Sequence, residues 1–282
     1  MKKVLNLLLT LVLTLSLVVV LAACGKKKIP GTKKEGVLVV GMECDYAPFN
    51  WTETKASDTN IPISNVAGAY AEGYDVQMAK KIAKELNLAL EIKSLTWDAL
   101  IPSLKNGTID MIIAGMSPTE ERKKSISFTE GYYTSTHVMV VKSDSKYTTA
   151  TQLSDFKDAT VAGQTGTIYA DLVPQAVAAG AKAGTDMNTV PQLVNQIKQG
   201  ILDATIVERP VAQGLVAADN TLAYVEFAEG KGFNVAIEDV MVSIGIRQEC
   251  NFTDKINAAL AKISTAERDQ MMLTAVQKNS AE

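Results

Sequence analysis

The residues of this chain best suited to chemistry lie within Thr108–Tyr133, TIDMIIAGMSPTEERKKSISFTEGYY. Ile109–Ala114 has the length and apolar content of a buried parallel strand. It runs into a turn at Gly115-Met116 and then into Ser117-Pro118-Thr119-Glu120. That string reads as a helix start, with Ser117 as N-cap, Pro118 at the first helical position and Glu120 closing a capping box. A strand that ends on a helix N-terminus leaves backbone N–H groups pointing outward at the positive end of the dipole, and such corners bind anions. Arg122, in the same turn, adds a planar fork of donors that matches a carboxylate. The same residues also suit an ordinary strand–helix turn with a surface arginine, and local chemistry alone leaves both readings open.

Three further stretches carry polar groups at strand ends. Ala159–Ala162 leads into Gly163-Gln164-Thr165-Gly166-Thr167, with a helix expected from about Ile168. This repeats the strand–turn–helix device, but the Lys-Ser/Thr that follows the last glycine of a phosphate loop is missing, which argues against a nucleotide. Asp203–Val207 reads as a buried strand that delivers Glu208. An acid there, opposite an arginine site, suits an α-ammonium group; the plainer alternative is a surface acid beside Arg209. Val37–Val40 reads as a buried strand that breaks at Gly41. The loop after it crowds Glu43, Asp45, Tyr46, Phe49 and Trp51 just past a strand's carboxyl end, where α/β sheets bind ligands. Phe49 and Trp51 are expected in the core. The single histidine, His137, argues against a histidine dyad or a zinc site, and no cofactor is expected. A net charge of −3 gives no reason to expect nucleic acid as a partner.

The elements that must position these residues follow from periodicity. With 282 residues the chain can fill one large or two modest domains. Gly73–Ala83 opens a helix whose apolar stripe is Val76, Ala79, Ile82, Ala83 and Leu86. Leu88–Ile92 is the next strand, and Trp97–Pro102 starts a short helix in which Trp97 suits the core. His137–Val141 reads as a strand crossing to a second lobe, Val190–Gln199 as an amphipathic helix, Val240–Ile246 as the return crossing and residues 254–277 as closing helices. Residues 52–70 are long for a connection and read as an inserted loop or hairpin near a cleft mouth. At the start, Lys2 and Lys3 precede the apolar Leu5–Leu21, ending in Leu21-Ala22-Ala23-Cys24. This is signal-peptide logic, with an uncleaved membrane anchor as the alternative. The ending resembles a bacterial lipobox, which would make Cys24 a lipidated N-terminus. Gly25–Gly36, with five lysines, reads as a solvated tether. Cys44 and Cys250 are expected as free thiols, since no spacing framework supports pairing.

GMSPTEER followed by ISFTEGYY resembles the solute-binding proteins of ABC amino-acid importers, the family 3 extracellular solute-binding proteins, in their lipoprotein form. The resemblance spans about residues 37–277. It implies an α/β, two-lobed periplasmic-binding-protein-like (type II) fold, with two hinge strands and a ligand cleft between the lobes. After a signal peptide (1–23) and a lipid-anchored linker (24–36), residues 37–136 plus 236–282 would form lobe 1 and 137–235 lobe 2. Carried over residue by residue, Arg122, Ser117 and the Gln164, Gly166 and Thr167 turn would take an α-carboxylate and Glu208 the α-ammonium. Tyr46 and Trp97 would flank the side chain, with Glu43 and Gly115 lining the pocket. Two positions depart from the pattern: Gln77 stands where an acid is usual, and Glu208 is one methylene longer than the usual aspartate. Glu43 and Asp45 add negative charge that favours arginine or lysine, although relatives that bind neutral amides such as glutamine also carry an acid at the Glu43 position. The implied partners are a free amino acid, a membrane permease and, through Cys24, the extracytoplasmic face of the bacterial membrane, for a monomeric non-enzymatic receptor. The alternatives are a dehydratase-like or lytic enzyme on the same fold, using Glu43 and Glu208 as an acid–base pair, and a surface sensor lipoprotein without a transport role.

Overall fold

The computed structural model describes residues 31–280 except 249 and 251, so the apolar leader and Cys24 lie outside the described residues. In chain order the strands are β1 (Val37–Met42), β2 (Asp45–Tyr46), β3 (Asn50–Glu53), β4 (Ile61–Pro62), β5 (Tyr70–Glu72), β6 (Ala89–Ser94) and β7 (Met111–Ile112). They continue with β8 (Ser127–Thr134), β9 (His137–Lys142), β10 (Thr160–Ala162), β11 (Lys182–Ala183), β12 (Ala204–Glu208), β13 (Leu222–Val225) and β14 (Met241–Ile246). Two five-stranded sheets, in the orders β6-β1-β7-β14-β8 and β11-β10-β12-β9-β13, form the centres of a two-lobed fold of the periplasmic-binding-protein type. Each sheet has four strands running one way and one reversed: β1 runs parallel to β6 and β7, and β10 to β11 and β12, while β14 and β9 run against both of their neighbours, β7 and β8 for the one and β12 and β13 for the other.

The chain passes between the sheets at two places that lie side by side. One is the β8–β9 link and the other precedes β14; Ser135 N–H donates to the Val240 carbonyl at 2.9 Å across them. Alternation along the central strands decides what each face packs against. On β9 and β12, Met139, Val141, Ala204 and Ile206 pack towards the helix Ile168–Ala178. Val138, Val140 and Val207 join the cluster that contains the helices Val190–Lys198 and Arg209–Ala218. The helix Tyr74–Glu85 buries Val76, Ala79, Ile82 and Ala83 as its apolar stripe requires.

Several local expectations shift. β1 does not break at Gly41 but runs on to Met42. A Cβ at Gly41 would come within 2.5 Å of the Ile109 side chain, so this glycine makes room for packing instead of ending a strand. The apolar run Ile109–Ala114 is wholly buried, yet only Met111–Ile112 is regular strand, paired parallel to β1. Residues 52–70 link β3 to β5 and carry β4, so this insertion is loop built onto a small antiparallel sheet, β2-β3-β5-β4. Part of the expected tether is attached to the body. Lys33 N–H donates to Asp110 at 2.9 Å, and Arg247 spans the Asp110 carboxylate (3.2 Å) and the Gly31 carbonyl (2.9 Å). The closing helix Thr265–Asn279 packs on both Tyr74–Glu85 and Arg209–Ala218, and its Lys278 pairs with buried Glu72 at 2.5 Å. Cys44 and Cys250 are both free thiols.

Candidate functional site

The two sheets turn their strand–turn–helix corners towards one cleft. In the first lobe Gly115 ends the β7 corner at φ 60°, where its missing side chain leaves room for the Tyr46 ring. The helix that follows begins later than the sequence suggests. It spans only Glu120–Lys123, and its N-cap is Thr119, whose hydroxyl accepts from Arg122 N–H at 3.3 Å. Ser117 and Pro118 therefore lie ahead of the helix, where Thr119 N–H donates to the Ser117 carbonyl at 3.0 Å across Pro118, a tight turn that proline's fixed φ suits as readily as the first helical turn. Ser117 is buried, its hydroxyl donating to the Asp239 carbonyl at 3.2 Å and its own carbonyl accepting from Arg122 Nη1 at 2.8 Å. The Arg122 guanidinium lies 4.9 Å from the Trp97 ring centroid, held between that ring and the corner backbone. Loss of hydration pushes its pKa down to about 10, partly offset by Tyr169, Asp171 and Asp239, so it stays cationic at neutral pH.

The second lobe supplies the facing wall. Gly166 adopts φ 73°, and its carbonyl accepts from Trp97 Nε1 at 2.8 Å across the cleft. Thr167 caps the helix Ile168–Ala178: its hydroxyl accepts from Tyr169 N–H at 3.2 Å and donates to the Gln164 carbonyl at 2.7 Å. Gln164 is 2 % exposed and donates through Nε2 to Glu43 Oε1 at 2.8 Å, which ties the lobes together again. Glu208 ends β12 at the N-cap position of Arg209–Ala218 but makes no side-chain cap bond, and its carboxyl points into the cleft, where the Tyr46 hydroxyl donates to it. It is not a surface acid beside Arg209, which pairs instead with Glu226 at 2.8 Å.

Eight of the ten expected site residues border a single tight gap of about 10 Å³, together with Ile168 and Tyr169. They are Glu43, Tyr46, Trp97, Gly115, Ser117, Arg122, Gln164 and Thr167. Gly166 and Glu208 adjoin it through the contacts just described. On the Arg122 side the gap meets a cavity of about 510 Å³, and on the Glu43 side one of about 410 Å³. Burial pushes the Glu43 carboxyl up to about 8, with Asp45 adding to the shift and the Gln164 bond opposing it. Burial likewise pushes Glu208 up to about 8, with its own backbone opposing and Glu43 adding a little. His137, opposite Glu208 in the β9–β12 ladder, packs its ring edge-on to Tyr169 at 5.7 Å, and burial lowers it to about 4.

The loops that present these groups are fixed by a buried polar network that sequence reasoning did not find. Asp75 is fully buried and accepts from Tyr132 OH (2.7 Å) and Asn50 Nδ2 (2.8 Å). Asn50 in turn accepts from Cys44 N–H at 2.7 Å, and Tyr132 OH accepts from Gly115 N–H at 3.2 Å. One carboxyl thus holds both the Glu43–Tyr46 loop and the Gly115 corner. Phe49 and Trp51 are buried as expected, Phe49 stacking on Tyr46 with centroids 5.6 Å apart. Trp97 is the exception to its core reading, since Leu100 and Leu104 carry the buried face of that helix. Tyr169 and Asp239 also border the site, and nothing in their spacing marks them.

Residues 38–273 match the bacterial extracellular solute-binding proteins, family 3, and the chain belongs to that family. The arginine-binding extracellular protein ArtP of Bacillus subtilis (strain 168) is 31 % identical over 263 residues, 93 % of each chain. The amino acid ABC transporter substrate-binding protein AbpA from Streptococcus pneumoniae Canada MDR_19A, solved bound to L-arginine, superposes with a TM-score of 0.72 at 26 % identity, covering 88 % of this chain and 97 % of that one. An ancestral arginine-binding protein bound to glutamine gives 0.66 at 27 % identity, over 84 % and 96 %. The chain is thus a solute-binding protein and not an enzyme. Its family is extracytoplasmic, and no helix among the described residues is long and apolar enough to cross a membrane.

Proposed function

We propose that this chain is the extracytoplasmic receptor of an amino-acid ABC importer and that its ligand is a cationic amino acid, arginine or lysine. The observation that carries this reading is the convergence in one cleft of a single guanidinium, Arg122, with two buried carboxyls, Glu43 and Glu208. A cationic α-amino acid has the complementary set of one carboxylate and two cations. Arg122 takes the α-carboxylate with the Ser117 corner and the Gly166–Thr167 turn, Glu208 takes the α-ammonium, and the side chain passes Tyr46 and Trp97 towards Glu43. Arginine-binding relatives support the cationic choice. The glutamine-bound ancestral protein marks the neutral amide as the competing ligand.

In this reading residues 37–136 with 236–282 form one lobe and 137–235 the other. Contacts made only when both lobes meet, such as Trp97 with Gly166 and Gln164 with Glu43, favour the closed form that a permease would recognise. Lipid on Cys24 would hold the receptor, as a monomer, at the outer face of the cell membrane. The test is calorimetric titration of the protein, stripped of carried-over ligand, against the twenty amino acids. Arginine or lysine should bind at micromolar Kd or tighter. Arg122→Ala should weaken that by roughly 10- to 150-fold, the ~1.5–3 kcal/mol of a charge-assisted hydrogen bond. Silence across the panel from folded protein rejects the amino-acid reading, and a preference for glutamine rejects the cationic one.

A further inference from the structure

Beyond Glu43 the cleft does not end. The gap around the carboxylate and ammonium groups is tight, about 10 Å³, whereas the space on the far side of Glu43 measures about 410 Å³. Glu43 and Trp97 border both, so a ligand side chain leaving the tight gap enters the larger space between them. The charge along this second space is of one sign. Asp45 and Asp98 line it, no lysine or arginine does, and the opposite wall is the neutral Thr165, Asn188 and Thr189. Glu43 is 7 % exposed, and only its Oε1 has a hydrogen-bond partner among the described residues, Gln164. Its Oε2 has no partner among the described residues, and Glu43 borders the cavity, so this oxygen is left for a donor arriving from there.

We propose that this extension measures the length of the ligand's side chain, with Asp45 and Asp98 as specificity-determining residues that favour long cations over short ones. The proposal rests on the amino-acid reading above and adds to it which members of the cationic class bind best. A short cation, such as 2,4-diaminobutyrate, stops at Glu43 and meets one carboxylate. A longer one lays its methylene stem along Trp97, where apolar contact accrues with each carbon. Its charged head then passes Glu43 into a space whose remaining acids are Asp45 and Asp98. A guanidinium suits this placement because its several donors can reach Glu43 Oε2 and a second carboxylate together. A cavity of this size also leaves space beyond the arginine head, so homoarginine fits without rearranging the walls.

The experiment is calorimetric titration of the protein with 2,4-diaminobutyrate, ornithine, lysine, arginine and homoarginine, repeated for Asp45→Asn and Asp98→Asn. Affinity should rise along the series, with homoarginine within threefold of arginine. Each substitution should weaken arginine and homoarginine by fivefold or more while changing diaminobutyrate less than twofold. Asp98 is solvent-exposed, so its variant reports even if Asp45→Asn fails to fold. An optimum at diaminobutyrate or ornithine, or an equal loss for every ligand in both variants, overturns the length proposal while leaving the receptor reading intact. Failure of every α-amino acid to bind, with the protein folded, overturns the receptor reading and the proposal with it.

Discussion

Binding of a cationic amino acid should drive protons out of the site. Glu43 and Glu208 are buried, with the neutral Gln164 and Tyr46 as hydrogen-bond partners, and each is pushed up to about 8. At pH 7 a carboxyl titrating there is roughly 90 % protonated. A bound ammonium or guanidinium stabilises the carboxylate and returns it to the ionised form, so each carboxyl gives up about 0.9 proton. The two groups influence each other, so the expected release lies between about one and two protons per ligand. If only one group carries the effect, affinity should rise roughly fiftyfold between pH 6 and pH 8, about 2.3 kcal/mol, and level off above. Calorimetry with L-arginine in phosphate and in Tris at pH 7 reads the proton count from the difference in heat, and the same titration at pH 6, 7 and 8 reads the slope. Identical heats in the two buffers with a flat Kd would refute the reasoning. That result would mean that water reaches both carboxyls before the ligand does, keeping them ionised.

The same shifts bear on stability. Both folded-state values lie above the ordinary 4.5, so the folded chain holds protons that the unfolded chain has lost. Ligand-free protein should therefore melt lower at pH 8 than at pH 6 by thermal scan, and saturating arginine should narrow the difference. Asp75→Ala leaves the Tyr132 hydroxyl and the Asn50 amide buried without an acceptor. At ~1–3 kcal/mol for each, urea unfolding should show a loss of roughly 2–6 kcal/mol. Arg247→Ala leaves the Asp110 carboxylate, which is 1 % exposed, without its cation and held only by the Lys33 and Val39 N–H groups among the described residues. The cost expected from the same measurement is ~3–5 kcal/mol, with ligand affinity little changed because neither residue borders the cleft.

How much of this was legible in the sequence depends on how far a residue's partners lie along the chain. Arg122, Glu43 and Glu208 could be found because a charge just past an apolar strand is conspicuous, and the Thr167 corner because it repeats the same device. The helix after Ser117 starts two residues later than its spacing suggests: Pro118 suits a tight turn and a first helical turn equally, and the Thr119 hydroxyl decides between them. Trp97 reads as core by composition, but it stands at the exposed end of a helix whose burial falls on Leu100 and Leu104. The Asp75 network could not be seen, since its bonds join residues 25 and 57 positions apart. The Arg247–Asp110 pair spans 137 positions, and local patterns carry no information over such distances.

That last pair has a geometric meaning for the whole molecule. By gripping the Gly31 carbonyl, Arg247 fixes the point where the described chain joins the body, on the side of the first sheet where Asp110 meets the Val39 backbone. Six residues lie between Cys24 and Gly31, and the seven Cα-to-Cα steps across them reach at most roughly 25 Å. If Cys24 carries lipid, the receptor is moored on a short line. So moored it would not roam the envelope, and its search for a permease would be confined to the plane of the bilayer.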